Sequence, residues 1–304
     1  MTLIFEQLLN GLLYGVMLFL MAAGLTLIFG IMGVINLAHG SLYMVGALAG
    51  AWVANATGNF WLGLPAAMAA SLLVGLIIEM TVIQRLYDRP HLDQVLATFS
   101  LILILNELAV LLIGRQPIFL QLPEALTDPI ELLPGLPYPP FRLLIILAGL
   151  LVALGLYVLI NRTRIGMLVR AGSTHRDMVR ALGVNIKGLY TAVFGLGALL
   201  AGLAGFMMAP IGAVQIGMGE QILLTTFVVV VIGGVGSVKG AFVAGIALGV
   251  IDTSLRAFLP GFLRQIMDGP DADALGLGIA SMGIYLLMAL VLLIRPKGLF
   301  PMKG

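Results

Sequence analysis

Apolar runs of about 20 residues, the length that crosses a bilayer as one α-helix, alternate with short polar interruptions along the chain. Residues 8–29, 62–83, 92–114, 142–160, 188–208 and 275–294 are uninterrupted runs of this kind. Two other apolar stretches are broken. In GIMGVINLAHGSLYMVGALAGAW, Gly30, Gly33, Asn36, His39, Gly40 and Ser41 interrupt the hydrocarbon before a helix over 34–54. Residues 221–232 make only half a crossing, run into GGVGSVKGAF (233–242), and continue as an apolar helix to about 258. Irregular backbone at membrane depth persists only where protein or a water-filled cavity surrounds it. The pattern therefore predicts an all-α, polytopic integral membrane protein, with eight to nine transmembrane segments and two broken helices. It fills residues 1–304 as a single domain.

The polar connections are unlike one another. Residues 115–141 carry seven prolines, which forbid a continuous helix, together with Glu124, Asp128 and Glu131. Residues 259–274 are acidic through Asp268, Asp271 and Asp273. Both are expected as outward-facing loops. Between two spans lies the segment 162–187, which contains Arg162, Arg164, Arg170, Arg176, Arg180 and Lys187. Within it Ser173 and Thr174 precede Asp177 in the manner of a capping box, with Thr174 as N-cap. Gly183 and Asn185 would stop the helix, leaving about two turns. The bland reading is an ordinary basic loop; Val179 and Leu182 favour a docking helix, because they add apolar surface that a solvated loop does not need.

Charge then sets orientation. Eleven of the sixteen Lys and Arg fall at Arg85 and Arg89, in 162–187, and at Arg295, Lys297 and Lys303. Basic loops stay cytoplasmic, so the N-terminus is expected outside and the C-terminus inside. Trp52 and Trp61 flank one outer connection as interfacial anchors. The start carries Glu6 and no basic residue before its apolar run, so that run is expected as a retained span rather than a cleaved leader. With 61% hydrophobic and 10% charged residues and a mean hydropathy of +1.12, the composition lies outside the soluble range, where about 25% are charged. The chain has no cysteine, hence no disulfide or thiolate chemistry.

Candidate chemistry is sparse. Asn36, His39 and Gly40 in the first break, and Gly233, Gly234, Gly236 and Ser237 in the second, are candidate walls of a translocation path. His39 has no neighbouring ligand in sequence and is read as structural or path-lining rather than metal-binding. Glu79 lies within reach of the interface near Arg85, and Asp252 and Arg256 can pair at i, i+4. Glu107, preceded by Asn106, is the candidate an ion-coupled carrier would use. GGVGSVKG lacks the Walker A order of Gly, Lys and hydroxyl, so no nucleotide site is read here. No catalytic set or cofactor fingerprint stands out, and the chain is not read as an enzyme.

GVINLAHGSLYMVGA, RAGSTHRDMVRALGVN, TTFVVVVIGGVGSVKGAFVAGIALG and the tail IRPKGLFP together resemble the inner-membrane permeases of branched-chain amino acid ABC importers. The resemblance covers nearly the whole chain, in the family's motif order. It implies a subunit that shares a translocation path with a second permease subunit, a paralogue or itself, in a bacterial inner membrane. Two cytoplasmic ATPases would bind the ATP and Mg, and a periplasmic binding protein would deliver a small-molecule substrate to the loops around Pro123 and Asp271. No nucleic acid is expected as a partner. The ATPase-coupling role maps to Ser173 through Gly183, framed by Arg170 and Arg180 and including Arg176. A branched-chain amino acid is the implied substrate, with urea or short amides carried by close relatives. An ion-coupled secondary transporter and a small-solute channel remain the alternatives.

Overall fold

The computed structural model describes residues 2–174, 176–181 and 183–300, with backbone alone at 173, 174, 176 and 177. The chain is an all-α polytopic membrane protein. Its long helices are α1 (Thr2–Met32), α2 (His39–Thr57), α3 (Phe60–Thr81), α4 (His91–Ile113), α6 (Pro140–Arg162), α9 (Ile186–Met208), α11 (Val238–Leu263) and α12 (Gly269–Ile294). A shorter helix, α10, spans Met218–Gly233. The connections hold one helical turn, α5 (Glu124–Thr127), a hairpin of β1 (Ile130–Leu133) and β2 (Leu136–Tyr138), and two polar helices, α7 (Arg164–Thr174) and α8 (Arg176–Ala181). Seven helical stretches are long and apolar enough to cross a membrane; α2, diluted by small and polar residues, is not among them.

Helix α1 is the axis. It is apolar on every side and every residue from Gly15 to Ile28 is buried, as expected for a helix ringed by others. Lipid tails provide no hydrophobic drive between helices, so close approach relies on small residues. A Cβ on Gly15 would lie 2.7 Å from the Gly245 carbonyl oxygen, and Gly11 meets Val250 in the same way. Phe19 then meets Phe242 edge-on at 5.1 Å, so α11 runs antiparallel to α1. Gly46 of α2 faces Gly202 of α9 and Gly50 faces Phe206, so those two helices run parallel.

The outer helices bury one stripe each. On α4 it is Gln94, Thr98, Ile102, Leu105 and Ala109; on α12 it is Ala272, Gly276, Ala280 and Ile284. Their other faces expose leucine, isoleucine and phenylalanine, which is the surface a bilayer solvates. Trp52 and Trp61 are exposed at the α2–α3 connection, where anchoring side chains belong.

Residues 115–141 form an ordered excursion containing a hairpin, an addition to the expected all-α pattern. Ile118 pairs with Val214, Tyr138 and Arg142 donate to Asn10, and Phe60 stacks edge-on against Phe141, so these connections share one end of the molecule. The expected loop over 259–274 is mostly helix. Helix α11 continues through Pro260 to Leu263, α12 starts at Gly269, and only 264–268 lie outside a helix. Pro260 falls in the last turn of α11, where the interrupted ladder ends anyway, and Asp271 in the first turn of α12 favours that helix start.

Candidate functional site

Helix α1 ends at Met32, and α2 does not begin until His39 rather than at 34. The intervening segment is nonetheless packed inside, with Val34, Asn36 and Ala38 buried. The Ile35 N–H donates to Gln94 Oε1 at 3.1 Å, which ties this segment to the start of α4. His39 is fully buried; a Cβ on Gly24 would touch its Cε1 and the Gly197 backbone. Residue 197 is the midpoint of α9, so α2 begins halfway through the protein.

A second helix begins at the same level. Gly219, second residue of α10, lies against Gly40, second residue of α2, so closely that a methyl group on either would strike the other's carbonyl oxygen. From this junction the helices diverge. Helix α2 runs to Thr57, where Asn55 donates to the Phe119 carbonyl; α10 runs to Gly233, whose carbonyl accepts from the Phe300 N–H. Two helices thus meet N-terminus to N-terminus inside the protein. Neither start has a side-chain cap, whereas Asn59, Asn185 and Ser237 cap α3, α9 and α11. Both Asn36 amide atoms, the Ser41 hydroxyl and Glu220 Oε2 are buried without a hydrogen bond. The His39 ring lies against the Met21 backbone, with no well-formed hydrogen bond at either nitrogen. Glu220 Oε1 accepts from Asn106 Nδ2 at 2.6 Å.

The glycine-rich stretch at 233–237 lies elsewhere. It makes the tight reversal between α10 and α11, with Gly234 and Gly236 at φ of 98° and 82°, values that favour glycine. The Gly236 N–H donates to Thr26 Oγ1 at 2.9 Å, and Ser237 Oγ accepts from the Gly240 N–H at 3.0 Å. The C-terminal tail closes over it through backbone bonds from Leu299 and Phe300 to Ile232 and Gly233. The junction partner of Asn36–Ser41 is therefore Gln215–Glu220. A signal for it was present: GVINLAHGSLY (33–43) is echoed by GAVQIGMGEQI (212–222), with Gly33 against Gly212, Asn36 against Gln215, Gly40 against Gly219 and Ser41 against Glu220.

The basic segment is two helices rather than one. Helix α7 opens with Thr163 Oγ1 accepting from the Gly166 N–H, and the Arg170 guanidinium reaches the Ile160 carbonyl. Arg170 lines a cavity of about 440 Å³ with Asn161, Gly236, Ser237 and Lys239, so this segment and the second glycine turn share one end of the molecule. Ser173 and Thr174 end α7, and Arg176 and Asp177 begin α8. Arg180 is exposed, and Gly183 follows α8 at φ 82°, the expected stop. Asn185 instead caps α9. Leu182 lies outside the described residues. Val179 is 5% exposed and packs inward, which corrects its expected place on a docking surface; Ile165, Met167 and Met178 are the exposed apolar side chains.

The isolated ionisable residues separate cleanly. Glu79 is buried and fully engaged by Tyr87, by Gln84 Nε2 at 3.1 Å and by Thr191 Oγ1 at 2.9 Å, which staples α3 to α9. Arg85, its expected neighbour, bonds the Thr81 carbonyl instead. Asp252 and Arg256 pair at 2.9 Å as the spacing predicts, and Arg256 also donates to Ser281. Glu107 is exposed on α4. Among the described residues, no three His, Cys, Asp or Glu side chains gather as metal ligands.

Helices that meet N-terminus to N-terminus inside a helical membrane domain are a feature of many transporter folds. Residues 7–294 match the family described as the branched-chain amino acid transport system permease component, and the chain belongs to that family. It is 30% identical to the high-affinity branched-chain amino acid transport system permease protein BraD of Pseudomonas aeruginosa, over 97% of this chain and 94% of that one. It is 25% identical to the corresponding LivH of Salmonella typhimurium, with the same coverage. A shorter similarity, 31% over 37% of this chain and 33% of the other, links it to the fructose import permease FrcC of Rhizobium meliloti. No solved structure matches at a significant level.

Proposed function

We propose that this chain is the permease subunit of an ABC importer that carries branched-chain amino acids, or a closely related small amino acid or amide, across a bacterial inner membrane. The observation that carries the reading is the head-to-head meeting of α2 and α10 at mid-depth, in a chain of this permease family. Counted with the seven long apolar helices, α2 and α10 make eight to nine transmembrane segments, and 33–38 and 209–217 are the breaks. The basic end, with Arg85, α7, α8 and Lys187, faces the cytoplasm by the positive-inside rule, so the hairpin end meets a periplasmic binding protein. ATP and Mg are bound by partner ATPases, and a second permease subunit completes the path.

In this reading α7 and α8, residues 164–181, are what the ATPase grips. The exposed Met178 and Met167 supply apolar contact within a basic surface, and Arg170 relays motion to the cavity beside Gly236 and Ser237. Deleting 173–183 is expected to abolish co-purification with the ATPase. Met178→Asp is expected to uncouple ATP hydrolysis from uptake while insertion stays intact. Uptake that persists without the ATPase, or that follows a proton gradient, overturns the proposal. Because the chain has no cysteine, a single cysteine at Lys187 tests orientation directly: an impermeant thiol reagent should label it only in opened cells.

A further inference from the structure

Burying a polar atom without a partner is costly, and native proteins rarely do it without a reason. Here such atoms gather at one place. Asn36, His39 and Ser41 lie on the run into and first turn of α2; Glu220 follows the Gly219 that touches Gly40, and Asn106 holds Glu220 from α4. A purely structural cluster would satisfy itself, as Glu79 does with Tyr87, Gln84 and Thr191. The Glu220 cluster stops halfway, with Oε2 and the Asn106 Oδ1 left over.

The leftover atoms include both donors and acceptors. The two uncapped helix starts present backbone N–H groups and the positive ends of two dipoles, to which Ser41 and the Asn36 amide add donors. Glu220 Oε2 and Asn106 Oδ1 are acceptors. Beside the start of α10 a cavity of about 300 Å³ is bordered by Tyr14, Tyr43, Met208, Gln215, Met218 and Gln221, of which Met218 and Gln221 flank Gly219 and Glu220 in the chain. Its methionines and tyrosines offer adaptable apolar surface to an aliphatic side chain.

We propose that the α2–α10 junction is a mid-membrane subsite for the zwitterionic head of a free amino acid. The carboxylate takes the helix starts, Ser41 and Asn36, and the ammonium takes Glu220 Oε2 and Asn106 Oδ1. Only a ligand with both charged groups on one carbon completes the set; a neutral amide or a sugar leaves Glu220 unmatched. This rests on the transport reading above.

The test uses the assembled importer in proteoliposomes, with its ATPases and binding protein, and radiolabelled leucine inside the assay window of linear uptake. Glu220→Gln is expected to lower uptake about tenfold or more, the loss of one hydrogen bond to a charged group. Ser41→Ala is expected to lower it about threefold to tenfold, the loss of one weaker bond. The melting temperature of the complex should not fall in Ser41→Ala, so that its loss of uptake is not a loss of fold. Excess leucinamide, which lacks the carboxylate, and 4-methylpentanoate, which lacks the ammonium, should not compete. If Glu220→Gln does not assemble, Ser41→Ala carries the same test, because its hydroxyl has no partner to lose. Wild-type uptake in both variants, or competition by either single-charge analogue, overturns the subsite and leaves the transport reading standing. A wild-type complex that moves no amino acid at all sinks the transport reading instead.

Discussion

The chain interrupts helix at 33–38 and again at 234–237, with glycine in the break, a serine close by (Ser41 and Ser237) and long apolar flanks at both places. At 234–237 every device for closing a turn is present. Ser237 caps α11, Thr26 takes the Gly236 N–H, and the tail bonds across Ile232 and Gly233. At 33–38 the backbone is tied through the Ile35 N–H to Gln94 Oε1, but α2 starts without a side-chain cap, with Asn36 and Ser41 buried and unpartnered beside the equally bare start of α10. One break is finished by the chain itself, while the other waits for something outside it. Glycine content alone does not separate them; the hydrogen-bond accounting does.

The largest effect that would test this contrast comes from the backbone contact itself. Gly219→Val places a branched side chain against the Gly40 carbonyl, with no flexible neighbour to yield. Overpacking of this kind costs about 1–3 kcal/mol where side chains can adjust, and backbone-on-backbone contact leaves less room. The expected outcome is loss of monodisperse protein on detergent gel filtration. Gly212→Val, where a Cβ meets nothing within 4 Å, is the control and should behave as wild type. A well-folded Gly219→Val would mean that the two helix starts are not locked together.

Next in size is the comparison between a satisfied and an unsatisfied polar group. Glu79→Leu removes the shared partner of the Tyr87 hydroxyl, Gln84 and Thr191, and losing one hydrogen bond to a charged group costs about 1.5–3 kcal/mol. At about 2–4 °C per kcal/mol for a chain above 150 residues, the melting temperature in detergent should fall by about 5 °C or more. Ser41→Ala removes a hydroxyl that bonds to nothing and should leave the melting temperature level or slightly raised. Equal losses in the two variants would erase the distinction between a structural staple and a site left open.

Much of this was legible in the chain. The long spans, their small-residue seams at Gly46, Gly50, Gly245 and Gly249, the pairing of Asp252 with Arg256 and the stop at Gly183 all follow from periodicity, spacing or composition, which are local properties. What escaped was non-local. The partner of the first break was missed because glycine marks irregular backbone wherever it lies, and only the tertiary packing puts Gly40 on Gly219. Glu220 was passed over because the apolar run was read from 221, one residue past it, whereas α10 starts at Met218. Val179 was assigned to the wrong face because six residues of helix are too few for periodicity to define one. Residues 259–274 read as loop because Pro260 and three aspartates suit a turn, yet the same residues suit the last turn of one helix and the first turn of the next.

The smallest effect returns to the closed break. Ser237→Ala removes the cap of α11, which costs about 1 kcal/mol in helices generally, or about 2–4 °C of melting temperature. Alanine keeps the backbone and leaves the Thr26 bond and the tail in place, so the turn is weakened rather than opened. Uptake should then stay at the wild-type rate, because in this account the turn holds α10 and α11 together without touching what passes. That combination, a measurable loss of stability with no loss of transport, is the mirror image of Ser41→Ala, where transport falls and stability does not. The two serines sit in similar sequence contexts and differ mainly in whether a backbone N–H has claimed the hydroxyl. If Ser237→Ala slows uptake as strongly as Ser41→Ala, the 234–237 turn belongs to the path, and the path extends from the α2–α10 junction down to the basic end.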